Sequence, residues 1–254
     1  MISAGFVGGG RVARILGGGW AQAGALPARI VVHEPSDAAF ERLRAVAPSV
    51  QRVPLAEAAA ADVVFLALHP PAIAPVLPAL RAALPPGATL VSLAPKVTIR
   101  VLAEGAGTSR VARMIPNAPS LVGRGYNPVA FGPGLDADAK AALGTLFAPW
   151  GRAPEVPEQD LEAYAILTGM GPTYFWYELQ ALRDLSRDMG LTRTATDAGL
   201  RAMIEGAVAT LLDSGLQPSE VVDLVPVKPL AEVEPAVTAA YHTALPALYS
   251  KIRP

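Results

Sequence analysis

The sequence predicts an α/β fold: an N-terminal Rossmann dinucleotide-binding domain followed by an all-helical dimerisation domain. Three observations predict it. A short apolar run, Ile2 to Val7, leads straight into a glycine-rich turn and an alanine-rich helix. Apolar, β-branched runs then alternate with helical patterns as far as Trp150, the rhythm of βαβ units and a parallel sheet. Beyond Pro157 only helical patterns remain.

The opening turn sets the chemistry. Gly8-x-Gly10-x-x-Ala13 is the G-x-G-x-x-G/A pattern of a dinucleotide fold. Gly8 permits the tight strand-to-helix turn. A side chain at Gly10 would collide with a pyrophosphate. The small Ala13 lets the helix pack closely on the strand. The helix that starts near Arg11 and Val12 presents free N–H groups and a positive dipole end to phosphates. It should end near Gly24. The next strand, Arg29 to Glu34, ends in a carboxylate 24 positions after Gly10, close to the spacing of a ribose-binding acid. A carboxylate there accepts from a 2′-hydroxyl and repels a 2′-phosphate, which favours NAD over NADP.

Pro35-Ser36-Asp37 caps a helix from Ala38 to Val46. A short helix closes at Ala58 to Ala61. Asp62 to Leu68 is a fully apolar strand after its first residue, as a buried parallel strand should be. Its exit, Leu68-His69-Pro70, lies where the ligand crevice opens past the strand ends, so His69 is a candidate contact to the nicotinamide ribose. Ile73 to Leu84 reads as a helix, Ala88 to Leu93 as a strand and Ser109 to Ile115 as another. The last of these runs into Pro116-Asn117-Ala118-Pro119, an extended loop, where the Asn117 amide can fix a nicotinamide or a substrate. Asn127 to Phe131 is a final strand, and Asp136 to Trp150 a helix with Asp136 at its cap. The Pro-containing segment Gly151 to Pro157 places the domain boundary at residue 154, giving domains 1–154 and 155–254. Helices are expected over Gln159–Ile166, Thr173–Met189, Arg193–Ser214 and Pro235–Tyr249. Leu200, Met203, Ile204, Ala207, Val208 and Leu211 form an apolar stripe at helical spacing. Such a face in a small helical domain implies a homodimer.

Composition excludes other classes. At 254 residues, 52% hydrophobic and 17% charged, the chain is globular. A net charge of −1 with no basic run lacks the footprint of nucleic-acid binding. There are no cysteines and only three scattered histidines, so no metal site is expected. No leader pattern or membrane-spanning run is read, and the expected location is cytoplasmic.

Three segments carry a family resemblance. Gly5-Phe6-Val7-Gly8-Gly9-Gly10-Arg11-Val12-Ala13 resembles the opening turn of the pyrroline-5-carboxylate reductase family. Arg113-Met114-Ile115-Pro116-Asn117-Ala118-Pro119, with Val122 and Gly125, is similar to that family's R-x-M-P-N-x-P-x-x-V-x-x-G segment. Thr168-Gly169-Met170-Gly171-Pro172-Thr173-Tyr174 resembles its S-G-S-G-P-A-Y helix start, followed by a matching Met189-Gly190-Leu191. The resemblance implies a Rossmann domain plus a helical dimerisation domain, NAD(P)H as cofactor, and a role in proline biosynthesis. The chain departs from the family at several points. Arg11 stands for Asn, and His69-Pro70 for part of V-K-P. Ala94-Pro95-Lys96-Val97-Thr98-Ile99 stands for A-A-G-V-T-I. Val225-Pro226-Val227-Lys228-Pro229-Leu230-Ala231 replaces a loop whose S-P-G-G-T-T holds the substrate carboxylate and ring nitrogen.

The candidate cofactor-binding residues are therefore Gly8, Gly10, Arg11, Val12, Glu34, Leu68, His69, Pro70 and Asn117. Hydride transfer to a carbonyl needs a proton donor, and hydroxyacid dehydrogenases use a lysine on the first long helix of the second domain. No lysine lies between Gly169 and Met189. An imine is more basic and arrives protonated. The expected reaction is hydride transfer to a C=N bond of a small imino acid or cyclic imine. Asn117, Thr168, Thr173 and Tyr174 are the candidate catalytic groups, and Lys228 the candidate partner for a substrate carboxylate. The competing reading is a nucleotide-binding protein of this fold without reductase activity.

Overall fold

The computed structural model describes residues 2–254. Its strands are β1 (Ser3–Val7), β2 (Arg29–His33), β3 (Gln51–Arg52), β4 (Val63–Leu66), β5 (Thr89–Ser92), β6 (Val111–Met114), β7 (Gly125–Tyr126), β8 (Val129–Phe131) and β9 (Gly151–Arg152). Between and after them come α1 (Arg11–Gln22), α2 (Asp37–Arg44), α3 (Leu55–Ala58), α4 (Ile73–Ala83), α5 (Ile99–Ala106), α6 (Ala137–Phe147) and α7 (Leu161–Tyr164). Four further helices follow: α8 (Pro172–Asp188), α9 (Arg193–Asp213), α10 (Pro218–Asp223) and α11 (Glu234–Ile252).

Seven strands form one sheet in the order β3-β2-β1-β4-β5-β6-β8. The first six run parallel, and β8 closes the edge antiparallel to β6. The chain steps outward from β1 to β2 and β3, then returns to lay β4 on the other side of β1. This reversal of strand order opens a crevice at the carboxyl ends of β1 and β4. β4, β5 and β6 are buried along their whole length, because helices cover both faces of the sheet. One apolar layer contains Phe6, Leu16, Trp20, Phe65, Phe147 and Trp150. The other contains Val64, Leu66, Ile73, Leu80, Leu90 and Leu102. Trp20 and Trp150 lie 4.6 Å apart, centroid to centroid. Each satisfies its indole N–H on a backbone carbonyl, Trp20 on Leu146 and Trp150 on Leu16, both at 2.8 Å.

Packing divides the chain into two units, one of the described residues up to Gly171 together with Leu248–Pro254, the other Pro172–Ala247. The expected boundary at residue 154 falls inside the first unit. Leu161 and Ala165 are buried in the second apolar layer, and Glu158 and Glu162 reach back to Arg113 on β6. The Pro-rich stretch marks a break in regular structure, and packing carries across it. The helix expected over Gln159–Ile166 is three shorter pieces: a 3₁₀ turn Glu158–Asp160, then α7, then a π-helical turn Ala165–Gly169. The helix expected to run to Trp150 ends at Phe147 and tightens into a 3₁₀ turn at Ala148–Trp150, with Pro149 inside it.

Two helices were absent from the sequence expectation. The hydroxyl of Thr98 caps α5 by accepting from the Val101 N–H at 3.3 Å, and Gly107 stops it in the left-handed conformation. A capping box of Gln217 and Glu220 starts α10, with Pro218 in its first turn. In the second unit Arg183 spans from α8 to both carboxylate oxygens of Asp197 on α9. Among the described residues of that unit only Thr196 is buried. Met203, Ile204, Val208 and Leu211 of the expected stripe are all exposed. Among the described residues no helix is long and apolar enough to cross a membrane.

Candidate functional site

The opening turn is built as its residues demand. Gly8 has φ +98°, and a Cβ there would sit 2.6 Å from the carbonyl oxygen of Ala67 at the exit of β4. Its N–H donates to the His33 carbonyl at 2.9 Å. Gly10 differs: a Cβ there would meet nothing within 4 Å, so the protein itself does not require glycine at that place. The open space lies at the amino end of α1, whose N-cap residue, Gly10, makes no side-chain cap and whose first turn holds no acid. Unpaired N–H groups and a positive dipole end therefore face a volume that only a bare main chain leaves open. Arg11 is exposed at the first helical position, and Val12 is half-buried beside it.

Glu34 stands at the lip of this cradle. Its Oε2 accepts from the Gly9 N–H and its Oε1 from the Ser36 N–H, both at 2.8 Å. The carboxylate is thus held by main chain on two sides. The guanidinium next along, Arg52, is turned to Asp37 and to the Pro35 carbonyl, so its charge is already engaged. Leu68 packs within reach of Gly8, His69 is exposed, and Pro70 begins a 3₁₀ turn leading into α4. The structure thus gathers Gly8, Gly10, Arg11, Val12, Glu34, Leu68, His69 and Pro70 along the carboxyl edge of β1, β2 and β4. Donors for a diphosphate, an acceptor for a ribose hydroxyl and a space to hold them are all present, and an NAD(P)H dinucleotide fits this set.

Asn117 and Thr168 meet on another part of the first unit. The Asn117 amide donates to the Thr168 carbonyl at 3.1 Å, and its Oδ1 accepts from the Tyr126 N–H at 3.1 Å. The reason lies in the sequence. The N–H four residues beyond Thr168 would belong to Pro172, which has none. Asn117 supplies the donor that the proline removes. Asn117 is itself seated by Asn127, whose Oδ1 accepts from the Asn117 N–H and the Ser120 hydroxyl. The Thr168 hydroxyl donates to the Tyr164 carbonyl at 3.0 Å, so its proton is committed while its lone pairs are not. In the second unit Thr173 is exposed. Tyr174 packs edge-on to Tyr241 with centroids 5.6 Å apart. Burial first, and Tyr241 second, push the Tyr174 phenol above its ordinary pKa, so it keeps its proton at neutral pH. Lys228 is exposed on the connection between α10 and α11.

Sequence reasoning missed a buried charge cluster. Arg113, fully buried in the sheet, bonds Glu158 at 2.9 Å and Glu162. The two carboxylates also accept main-chain N–H groups, Glu158 from Ile99 at 2.6 Å and Glu162 from Lys96 at 2.9 Å. An arginine amid Val111, Ala112 and Met114 signals a buried partner, but nothing local says where in the chain that partner lies. Lys96 itself has φ +77°, the one non-glycine with positive φ among the described residues.

A doubly wound sheet with a Gly-turn cradle, followed by a helical unit, defines a two-domain nicotinamide-dependent oxidoreductase. Residues 3–96 match the family described as NADP oxidoreductase coenzyme F420-dependent, and residues 158–228 match pyrroline-5-carboxylate reductase dimerisation. The pyrroline-5-carboxylate reductase of Corynebacterium melassecola is 30% identical over 225 residues, covering 87% of this chain and 83% of that protein. The chain belongs to the pyrroline-5-carboxylate reductase family. A pyrroline-5-carboxylate reductase structure from Coxiella burnetii superposes with a TM-score of 0.68 at 26% identity, covering 99% of this chain and 93% of that one. The Plasmodium falciparum pyrroline carboxylate reductase with NADP bound shares the fold at TM-score 0.74 and 21% identity, covering 99% of this chain and 94% of that one. The dimerisation match stops at Lys228, so α11 lies beyond it.

Proposed function

We propose that the protein is an NADH-preferring reductase of the C=N bond in a small imino acid or cyclic imine, acting as a homodimer in the cytoplasm. The observation that carries this reading is the open cradle at Gly10, flanked by a Glu34 carboxylate oriented by two main-chain N–H groups. When bound, the nicotinamide supplies the hydride. The α1 amino end, with Arg11 and Val12, holds the diphosphate. Glu34 accepts from the adenosine ribose and disfavours a 2′-phosphate. Leu68, His69 and Pro70 border the nicotinamide end.

The remaining roles follow from proton inventory. Asn117 keeps the Thr168 turn in shape. Thr168 and Thr173 offer hydroxyl oxygens that orient a protonated imine. Hydride addition to a protonated imine already yields the neutral amine, so Tyr174, which retains its phenolic proton, acts as a hydrogen-bond donor to the substrate and not as an acid. Lys228 pairs with a substrate carboxylate, in place of the main-chain and hydroxyl contacts that the loop's S-P-G-G-T-T counterpart provides. The homodimer is supported by the dimerisation match and by the exposed apolar face of α9.

The test is a spectrophotometric screen following loss of NADH and of NADPH absorbance against cyclic imines and 2-oxo acids. Turnover of an imine with NADH is the expected result. Turnover of oxo acids alone overturns the substrate class. Dinucleotide binding without turnover on any imine favours a nucleotide-binding protein that has lost reduction.

A further inference from the structure

We propose that Lys96 is a positioning residue: from a strained backbone it clasps the last turn of α11 onto the first unit, and so holds the turn between β5 and α5 in its working shape. A left-handed conformation is strained for a non-glycine residue and persists only where the surroundings over-determine it. At Lys96 they do so at both ends. The N–H of this residue, at φ +77°, donates to Glu162 Oε1 at 2.9 Å, and Glu162 is fixed in turn by Arg113. The Lys96 ammonium donates to the Lys251 carbonyl at 3.3 Å. Lys251 lies in the final turn of α11, where carbonyls have run out of helical donors and the helix dipole is negative. A cation there meets both needs.

The neighbouring residues make the contact a clasp. Ile252 packs against the second apolar layer. Pro246 interrupts α11 shortly before: its ring removes the N–H that would bond back to residue 242. The last turn is tied to the first unit by the packing of Ile252 and by the Lys96 ammonium. A cavity of about 350 Å³ is bounded by Pro70 at the exit of β4, by Lys96 and Val97, and by Pro254. The clasp therefore borders the segment that leads from His69 into α4. That it tunes the nicotinamide end of the crevice rests on the dinucleotide reading above.

The experiment is hydrogen exchange by mass spectrometry on the full-length protein, with K96M, K96G and K96R, alongside steady-state kinetics. K96M and K96G should speed exchange in residues 248–254 about threefold or more, and K96R should restore protection. K96G should also melt no lower than the wild type, because glycine adopts this backbone freely. K96M should raise the KM for NADH severalfold while kcat stays within about twofold. Unchanged exchange in both K96M and K96G overturns the clasp. Faster exchange with an unchanged KM overturns its link to the crevice. A wild-type protein that binds no NADH sinks the dinucleotide reading instead, while the exchange data still decide the clasp.

Discussion

The Gly9 N–H donates to Glu34 Oε2 at 2.8 Å, so the residue that follows β2 steers the glycine turn that follows β1. Glu34→Ala removes that bond, the Ser36 bond and the acceptor for a ribose hydroxyl together. The NADH dissociation constant should rise about tenfold, or about 1.4 kcal/mol, while that for NADPH changes less or falls. Titration calorimetry with both nucleotides measures it, and an unchanged NADH affinity removes the ribose assignment.

Gly8 and Gly10 should separate stability from binding. Gly10→Val fills open space, so the melting temperature should hold while dinucleotide affinity falls roughly 100-fold, about 3 kcal/mol. Gly8→Ala forces a left-handed backbone and a clash with Ala67, and should lower stability by about 1–3 kcal/mol. Thermal melts paired with binding isotherms distinguish the two. If Gly10→Val binds normally, no diphosphate sits at this turn.

Asn117→Ala leaves the Thr168 carbonyl without the donor that Pro172 cannot supply. The expected loss is about 1–3 kcal/mol in stability, together with a lower kcat. Asn117→Asp, which puts an acceptor against an acceptor, should be worse than Ala. Equal behaviour of the two variants in denaturant titration would remove the argument from Pro172.

Val208→Glu places a charge in the exposed apolar face of α9. If that face is the interface between copies, burying an unpaired carboxylate there is costly. Sedimentation should then show dissociation to monomers without loss of helicity. A variant that sediments like the wild type moves the interface elsewhere.

Asp62 gives a prediction with a fixed sign. Its carboxyl is held below the usual carboxylate range, first by the Ser3 N–H and then by the Ser3 hydroxyl. A folded-state pKa lower than the unfolded one contributes stability above the unfolded value and loses it as pH falls through the folded one. The melting-temperature gap between wild type and Asp62→Asn should thus be present at neutral pH and close at strongly acid pH. A gap that widens on acidification contradicts the Ser3 assignment. The group is mostly exposed, so the gap is small.

What was legible in the sequence was local. The strand, the glycines and Glu34 declare themselves within one βαβ unit, because each residue's reason lies within a turn or two of it. Ser36 and Asp136 cap their helices as their side chains suggest. The Asn117–Thr168 bond was not legible, since its partners lie 51 positions apart and only the fold shows that a missing proline N–H is replaced. The packing that carries across residue 154 was not legible for a similar reason. Glu162 binds Arg113 across 49 positions, and composition near residue 154 carries no trace of that pull. A lysine does not itself announce a left-handed backbone, and the one trace of it at Lys96 is the glycine that the family's A-A-G-V-T-I places there.

The placement of the indoles has a practical consequence. Trp20 and Trp150 are sealed in the first unit, while Trp176 of α8 is 53% exposed. Emission from the sealed pair reports melting of the sheet. If copies associate through the exposed side of α8, a blue shift confined to the third fluorophore and absent in a Trp176→Phe control is the expected sign of its desolvation. One optical channel can thus follow folding and assembly separately.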